Sequence, residues 1–136
     1  MKPEELLERA KHAMTMAYAP YSDFFVGAAL LTADGKVYEG CNIESASYSP
    51  TNCAERTAFF KAVSEGERKF TAIAVVGGKH GQIKGLFPPC GVCRQVMQEF
   101  CGPDFLIYMG KENDQYETVT LEKLLPFGFS GKDHMA

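Results

Sequence analysis

Phe70-Thr71-Ala72-Ile73-Ala74-Val75-Val76 is a nearly unbroken apolar run, rich in β-branched and small residues. A strand with one face in water alternates apolar and polar side chains, whereas a run without alternation reads as a strand covered on both faces. This stretch therefore marks the middle of a sheet, and the chain on either side must supply the covering layers. Upstream, Ala54, Ala58, Ala62 and Val63 share one helical face in a segment that runs to Ser64 and stops at Gly66. Thr51 or Asn52 is an acceptable N-cap for that helix, which puts Cys53 in its first turn. Downstream, Pro88 and Pro89 force an extended approach to Cys90, after which Val92, Val96, Met97 and Phe100 mark a helix closed by Gly102-Pro103.

Farther out, residues 25–32 and 36–43 form two extended runs around Asp34-Gly35, a pairing that accommodates positive φ, and so predict a β-hairpin. Leu6, Leu7, Ala10, Met14 and Ala17 recur at helical steps and predict a surface helix over residues 3–17, with Glu4 and Glu5 complementing its positive end. Phe105 to Met109 and Tyr116 to Thr120 read as strands whose link is too short for a parallel crossover, and Leu121 to Leu125 reads as a short helix. Gly77-Gly78-Lys79-His80-Gly81 lacks the spacing of a phosphate loop and is expected to be a flexible connection. The element order predicts an α/β protein, a three-layer α/β/α fold with a five-stranded mixed sheet, and the 136 residues suit one domain spanning 1–136.

A composition of 46% hydrophobic and 23% charged residues with a formal net charge of -3 lacks the basic surface a polynucleotide partner needs, so no nucleic acid is expected. Met1 to Glu5 opens without the apolar core of a signal peptide, and Phe24 to Leu31, the longest apolar run, is too short to span a bilayer. A cytoplasmic protein with no membrane partner is the expectation. Five cysteines, an odd number, suit metal binding or free thiols better than a disulfide framework.

Three of those cysteines carry the chemistry. Cys90 and Cys93 stand three apart at one helix start, and Cys53 stands at another, a set that can hold Zn²⁺ as thiolates and leave a fourth position for water. Three thiolates overcompensate a dication, and Arg56 and Arg94 are placed to offset the excess, Arg56 the better because it shares a turn with Cys53. Side chains at a helix start can converge as they do in a capping box, so Glu55 can stand beside the metal as a proton carrier. Asn42 and Glu44 lie on the loop leading into this motif and are candidates for substrate contact; an Asx-type turn in a solvated loop is the alternative.

Cys53-Ala54-Glu55 with Pro89-Cys90-Gly91-Val92-Cys93 resembles the zinc-deaminase signature in its three-cysteine form. Tyr18-Ala19-Pro20-Tyr21-Ser22, Val26-Gly27-Ala28-Ala29-Leu30, Gly40-Cys41-Asn42-Ile43-Glu44 and Leu124-Leu125-Pro126 extend the likeness to the small, homotetrameric cytidine deaminases that act on free nucleosides. The resemblance implies one Zn²⁺ per subunit on Cys53, Cys90 and Cys93, Glu55 as the catalytic proton shuttle and Arg56 as charge compensation. It further implies that Phe24 packs on the pyrimidine, that Asn42 and Glu44 bond the sugar hydroxyls, and that the Ala54 backbone meets the base. Ala46, Tyr48 and the tail aromatic Phe129 would serve a neighbouring subunit's pocket, with Phe127 the competing ring. The reaction implied is hydrolytic deamination of cytidine and 2′-deoxycytidine to uridine and 2′-deoxyuridine, a pyrimidine-salvage step. The rivals are deamination of a cytosine-containing antibiotic such as blasticidin S, a non-enzymatic zinc module closed by Cys41, Cys101 or His80, and a thiol-disulfide role for Cys90 and Cys93.

Overall fold

β3 (Phe70–Lys79) lies at the centre of a five-stranded sheet of order β2-β1-β3-β4-β5, and its residues Ala72 to Val76 are at most 1% exposed. The structure, a computed structural model, describes residues 1–135. The strand runs antiparallel to β1 (Phe24–Thr32), with Ala74 opposite Ala29, and parallel to β4 (Leu106–Gly110), with Ile73 opposite Ile107. β2 (Val37–Cys41) and β5 (Tyr116–Thr120) pair antiparallel at the two edges. α2 (Ala54–Ser64) connects β2 to β3, and α3 (Gly91–Phe100) connects β3 to β4.

Side chains alternate across β3 and so divide the interior in two. Ile73 and Val75 face α2 and α3, where they join Phe59, Met97, Ile107 and Leu121 in the larger core. Ala72, Ala74 and Val76 face α1 (Pro3–Met14), against Leu6, Leu7 and Ala10. This is the three-layer α/β/α arrangement expected from the nearly unbroken apolar run. Two glycines set how closely the layers approach. A β-carbon on Gly27 would lie 2.0 Å from the Ala10 carbonyl oxygen, and one on Gly40 would lie 2.5 Å from the carbonyl of Ala54 and the amide of Ala58. Gly40 thus lets the first turn of α2, with Cys53 and Glu55, sit directly on β2.

Phe59 is the hub of the larger core, fully buried, with ring centroids 5.2 Å from Phe70, 6.0 Å from Phe100 and 6.1 Å from Phe105. Replacing Phe59 with alanine is expected to cost about 3–5 kcal/mol, since so enclosed a site cannot collapse onto the void. Urea unfolding checks this, and an unchanged midpoint would contradict it.

Some boundaries differ from those expected. α1 stops at Met14 rather than residue 17, because Thr15, Met16 and Ala17 bond carbonyls three residues back and Tyr18 is drawn into a bridge with Ile43. The hairpin uses a longer loop closed by Thr32 N–H to the Lys36 carbonyl, in which Gly35 (φ 90) carries the positive φ and Asp34 does not. Gly77, Gly78 and Lys79 belong to β3 and are not a flexible connection; a β-carbon on Gly78 would lie 1.8 Å from the Gln82 carbonyl oxygen. The tail after α4 (Leu121–Leu124) contains a further short helix, α5 (Gly131–His134), whose N-cap Ser130 accepts from the Asp133 amide. Among the described residues, no helix is long and apolar enough to cross a membrane.

Candidate active site

Two helix starts meet, one following β2 and the other following β3, and each begins at a cysteine. Cys53 and Cys90 are themselves the N-caps of α2 and α3, with extended backbones and no side-chain cap bond. The sequence pointed to Thr51 or Asn52 as the cap of α2; Asn52 instead pairs with Ile43 in an antiparallel bridge, which keeps it extended. An N-cap side chain turns back over the helix end toward the third residue of the first turn. At α3 that residue is Cys93, and the Cys90 and Cys93 sulfurs lie 3.4 Å apart. At α2 it is Arg56, whose Nη2 donates to Cys53 Sγ at 3.2 Å.

Cys53 Sγ lies 3.6 Å from Cys90 Sγ, and all three sulfurs fall within 4.8 Å of one another. Zinc–sulfur bonds of about 2.3 Å at tetrahedral angles hold thiolates about 3.8 Å apart, so the donor set and spacing fit that ion. Among the described residues no fourth histidine, cysteine or carboxylate joins this group, which is the open arrangement of a catalytic centre. Neither Cys41 nor Cys101 belongs to it, and His80 pairs with Asp23.

Electrostatics single out Cys53 and Glu55. The Cys53 thiol is held down at about 5 by hydrogen bonding from Cys93, then from Arg56 and Cys90, while Cys93 is correspondingly pushed up. Desolvation opposes the charge on Arg56, and its bonds to the thiols outweigh it. Arg56 Nε is buried without a hydrogen-bond partner. Glu55 is 2% exposed, and burial, helped by the charge on Cys53, raises its carboxyl to about 7. Burial raises the Cys101 thiol to about 12 and also raises Cys41. Iodoacetamide at pH 6 should therefore label Cys53 of metal-free protein ahead of Cys41 and Cys101, as read by mass spectrometry. Equal labelling of the three would contradict this assignment.

A cleft of about 250 Å³ opens beside the thiols, lined by Phe24, Asn42, Glu44, Cys53, Ala54, Glu55 and Cys90 together with Ser22, Val26, Thr51, Asn52, Phe87 and Pro88. The four residues expected to contact substrate within one subunit, Phe24, Asn42, Glu44 and Ala54, all line it, whereas Cys93 and Arg56 lie behind it. Phe87 was not foreseen; its ring stands 6.3 Å from that of Phe24, and the two form an apolar wall. Its only sequence signal is its position before Pro88-Pro89 on the approach to Cys90.

The polar end of the cleft is built around Asn42 and Glu44. Asn42 donates through Nδ2 to the Phe24 carbonyl at 2.8 Å and accepts from the Val26 amide at 2.9 Å, so both ends of its amide are fixed by β1. Glu44 accepts from the amides of Tyr21 and Ser22 at 3.0 and 3.1 Å and from the Ser22 hydroxyl, which holds its carboxyl below the usual range. Among the described residues, no lysine or arginine lines the cleft.

Other residues lie elsewhere. Ala46 is exposed, Tyr48 is 83% exposed and Phe129 is 52% exposed, and none lines this cleft. Phe127 is fully exposed with φ 55, whereas Phe129 stacks on His134 with centroids 5.1 Å apart. Arg94 turns away from the sulfurs and bonds the carbonyls of Pro89 and Leu124.

An α/β/α fold with three metal-spaced thiols and a sheltered carboxyl at two helix starts is that of a zinc-dependent deaminase. The chain belongs to the cytidine and deoxycytidylate deaminase family, whose zinc-binding region matches residues 1–109. A cytidine deaminase of Sporosarcina psychrophila is 52% identical over 133 residues, covering 98% of this chain and 95% of its own. One from Halalkalibacterium halodurans is 50% identical over 133 residues, covering 98% of each. The crystal structure of a cytidine deaminase from Burkholderia pseudomallei superposes with a TM-score of 0.87 at 49% identity, covering 95% of this chain and 100% of that one. A blasticidin-S deaminase of Bacillus cereus is more distant, 30% identical over 130 residues.

Proposed function

We propose that the chain, acting as one domain over residues 1–136, deaminates cytidine and 2′-deoxycytidine to uridine and 2′-deoxyuridine with release of ammonia. The observation that carries this reading is Glu55, a buried carboxyl set near neutrality next to the three thiols, in a cleft lined by Phe24, Asn42 and Glu44. Cys53, Cys90 and Cys93 would hold a zinc ion, which would supply Lewis-acid activation of water at neutral pH. Glu55, with a carboxyl that exchanges protons readily near pH 7, takes the proton released as water adds at C4 and hands it to N3. It then moves the second proton to the exocyclic amine, the C4–N bond breaks, and ammonia departs, so one water is consumed for each ammonia released. Arg56, donating to Cys53 Sγ, offsets the excess negative charge of three thiolates. Phe24, with Phe87 beside it, offers an apolar surface for the pyrimidine ring to pack on, and the Ala54 backbone meets the base near its carbonyl.

The family spans nucleosides and a nucleotide, and the polar end of the cleft favours the former. Asn42 is oriented by β1 with one Nδ2 N–H still free, and Glu44 is oriented by two backbone amides with carboxylate lone pairs to spare, so together they offer a donor and acceptors, which suits sugar hydroxyls. A phosphate would meet the Glu44 carboxylate with no cation in the lining to bind it. Ammonia release should therefore be rapid with cytidine and 2′-deoxycytidine and slight with deoxycytidylate or blasticidin S. Preference for either of the last two would overturn the reading. Replacing Glu44 with glutamine should raise KM about tenfold or more with little change in kcat, because a charged acceptor to the sugar is lost; an unchanged KM would remove Glu44 from sugar binding.

We further propose a cytoplasmic homotetramer in which Ala46, Tyr48 and Phe129 complete a neighbour's cleft. The exposure of Tyr48, Phe127 and Phe129 on a single chain supports this.

A further inference from the structure

We infer that Arg94 is a positioning residue for the metal ligand Cys90, acting through the Pro89 carbonyl. The inference rests on the reading of Cys53, Cys90 and Cys93 as the zinc ligands. Cys90 is exposed and has no side-chain cap bond, and it is delivered by a segment with little support of its own. Among the described residues, positions 86–89 make no backbone-to-backbone hydrogen bond, and Pro88 and Pro89 have no N–H to donate. The Pro89 carbonyl precedes the N-cap and so lies outside the helical ladder, and the Pro89 side chain is fully buried.

Arg94 reaches back one turn and donates from Nε to that carbonyl at 2.8 Å, which fixes the plane of the Pro89–Cys90 peptide and with it the direction of Cys90 Sγ. Its Nη1 donates, also at 2.8 Å, to the carbonyl of Leu124, the last residue of α4 and another acceptor without a helical partner. One planar fork therefore ties the metal loop to a separate element packed on α3. The ammonium of lysine is a single point donor and cannot span both carbonyls in that geometry. The neighbouring Gln95 makes a different tie, from Nε2 to the Phe129 carbonyl at 2.8 Å, which holds the tail without touching the metal loop.

The test uses the full chain loaded with cobalt(II), whose thiolate charge-transfer absorption reports the number and arrangement of bound sulfurs. Wild-type protein should show the band of a three-thiolate centre. Replacing Arg94 with alanine should weaken metal binding about 10–100-fold in competition with a chromogenic chelator and alter that band. Arg94→Lys should fall between the two, and Gln95→Ala should keep the wild-type spectrum. Should Arg94→Ala fail to fold, Arg94→Gln carries the same readouts. A lower melting temperature with unchanged metal affinity and spectrum would overturn the inference and leave Arg94 a structural brace. Absence of the band in wild-type protein would instead overturn the ligand assignment itself.

Discussion

Replacing Glu55 with alanine is expected to lower kcat about 10²–10⁴-fold while the protein remains folded and zinc-loaded, because the change removes the proton carrier and no metal ligand. The sulfurs of Cys53, Cys90 and Cys93 form the donor group without the Glu55 carboxylate, so zinc content should stay near one per chain. Stability should not fall much either. The carboxyl is buried and driven toward its neutral form by desolvation, so its removal relieves a polar group from an apolar setting. Glutamine at this position should be as damaging as alanine, since it keeps the shape and loses the ability to exchange a proton near pH 7. Steady-state kinetics and elemental analysis on the same samples check both halves. Turnover of Glu55→Ala within a few-fold of wild type would remove Glu55 from the chemistry.

Replacing Cys93 with alanine is expected to have the larger effect, abolishing zinc binding and turnover together. Cys93 is the buried member of the trio, 1% exposed, and its sulfur lies 3.4 Å from that of Cys90. Two thiols remaining at separate helix starts cannot make a three-thiolate centre, and among the described residues no other cysteine or histidine joins the group to replace the third. The consequence should extend to stability. Metal binding joins the starts of α2 and α3, so part of the folding free energy of the loaded protein depends on it. Elemental analysis, thermal melting and ammonia release should all fall in Cys93→Ala. Retained zinc with measurable turnover would contradict the ligand assignment.

Much of this arrangement was legible in the sequence because the relevant signals are local. The nearly unbroken apolar run at Phe70 to Val76 announced a central strand, and the spacing of Cys90 and Cys93 announced a metal site at a helix start. What was not legible depends on contacts between distant segments. Gly77 and Gly78 read as flexible because glycine usually marks a loop, yet they lie in β3, where the Gln82 backbone folds too close to admit a side chain at Gly78. Arg94 was directed to the sulfurs by its place beside Cys93, but the Leu124 carbonyl that competes for it is brought near only by the packing of α4 on α3. Phe87 carried no periodic signal at all, because it lies in an irregular approach and acquires its place in the cleft from the position of Phe24 across it. Ser22 is similar: only the folded loop shows that it fixes the Glu44 carboxylate.

The most direct test is ammonia release from cytidine by protein stripped with a chelator and then titrated with zinc. Turnover should be lost on stripping and return in proportion to zinc, reaching its full value at about one ion per chain, the open three-ligand stoichiometry. Undiminished turnover by the stripped protein, or no turnover after zinc is restored to the folded chain, would contradict the assignment of this cleft as a zinc-dependent cytidine deaminase site.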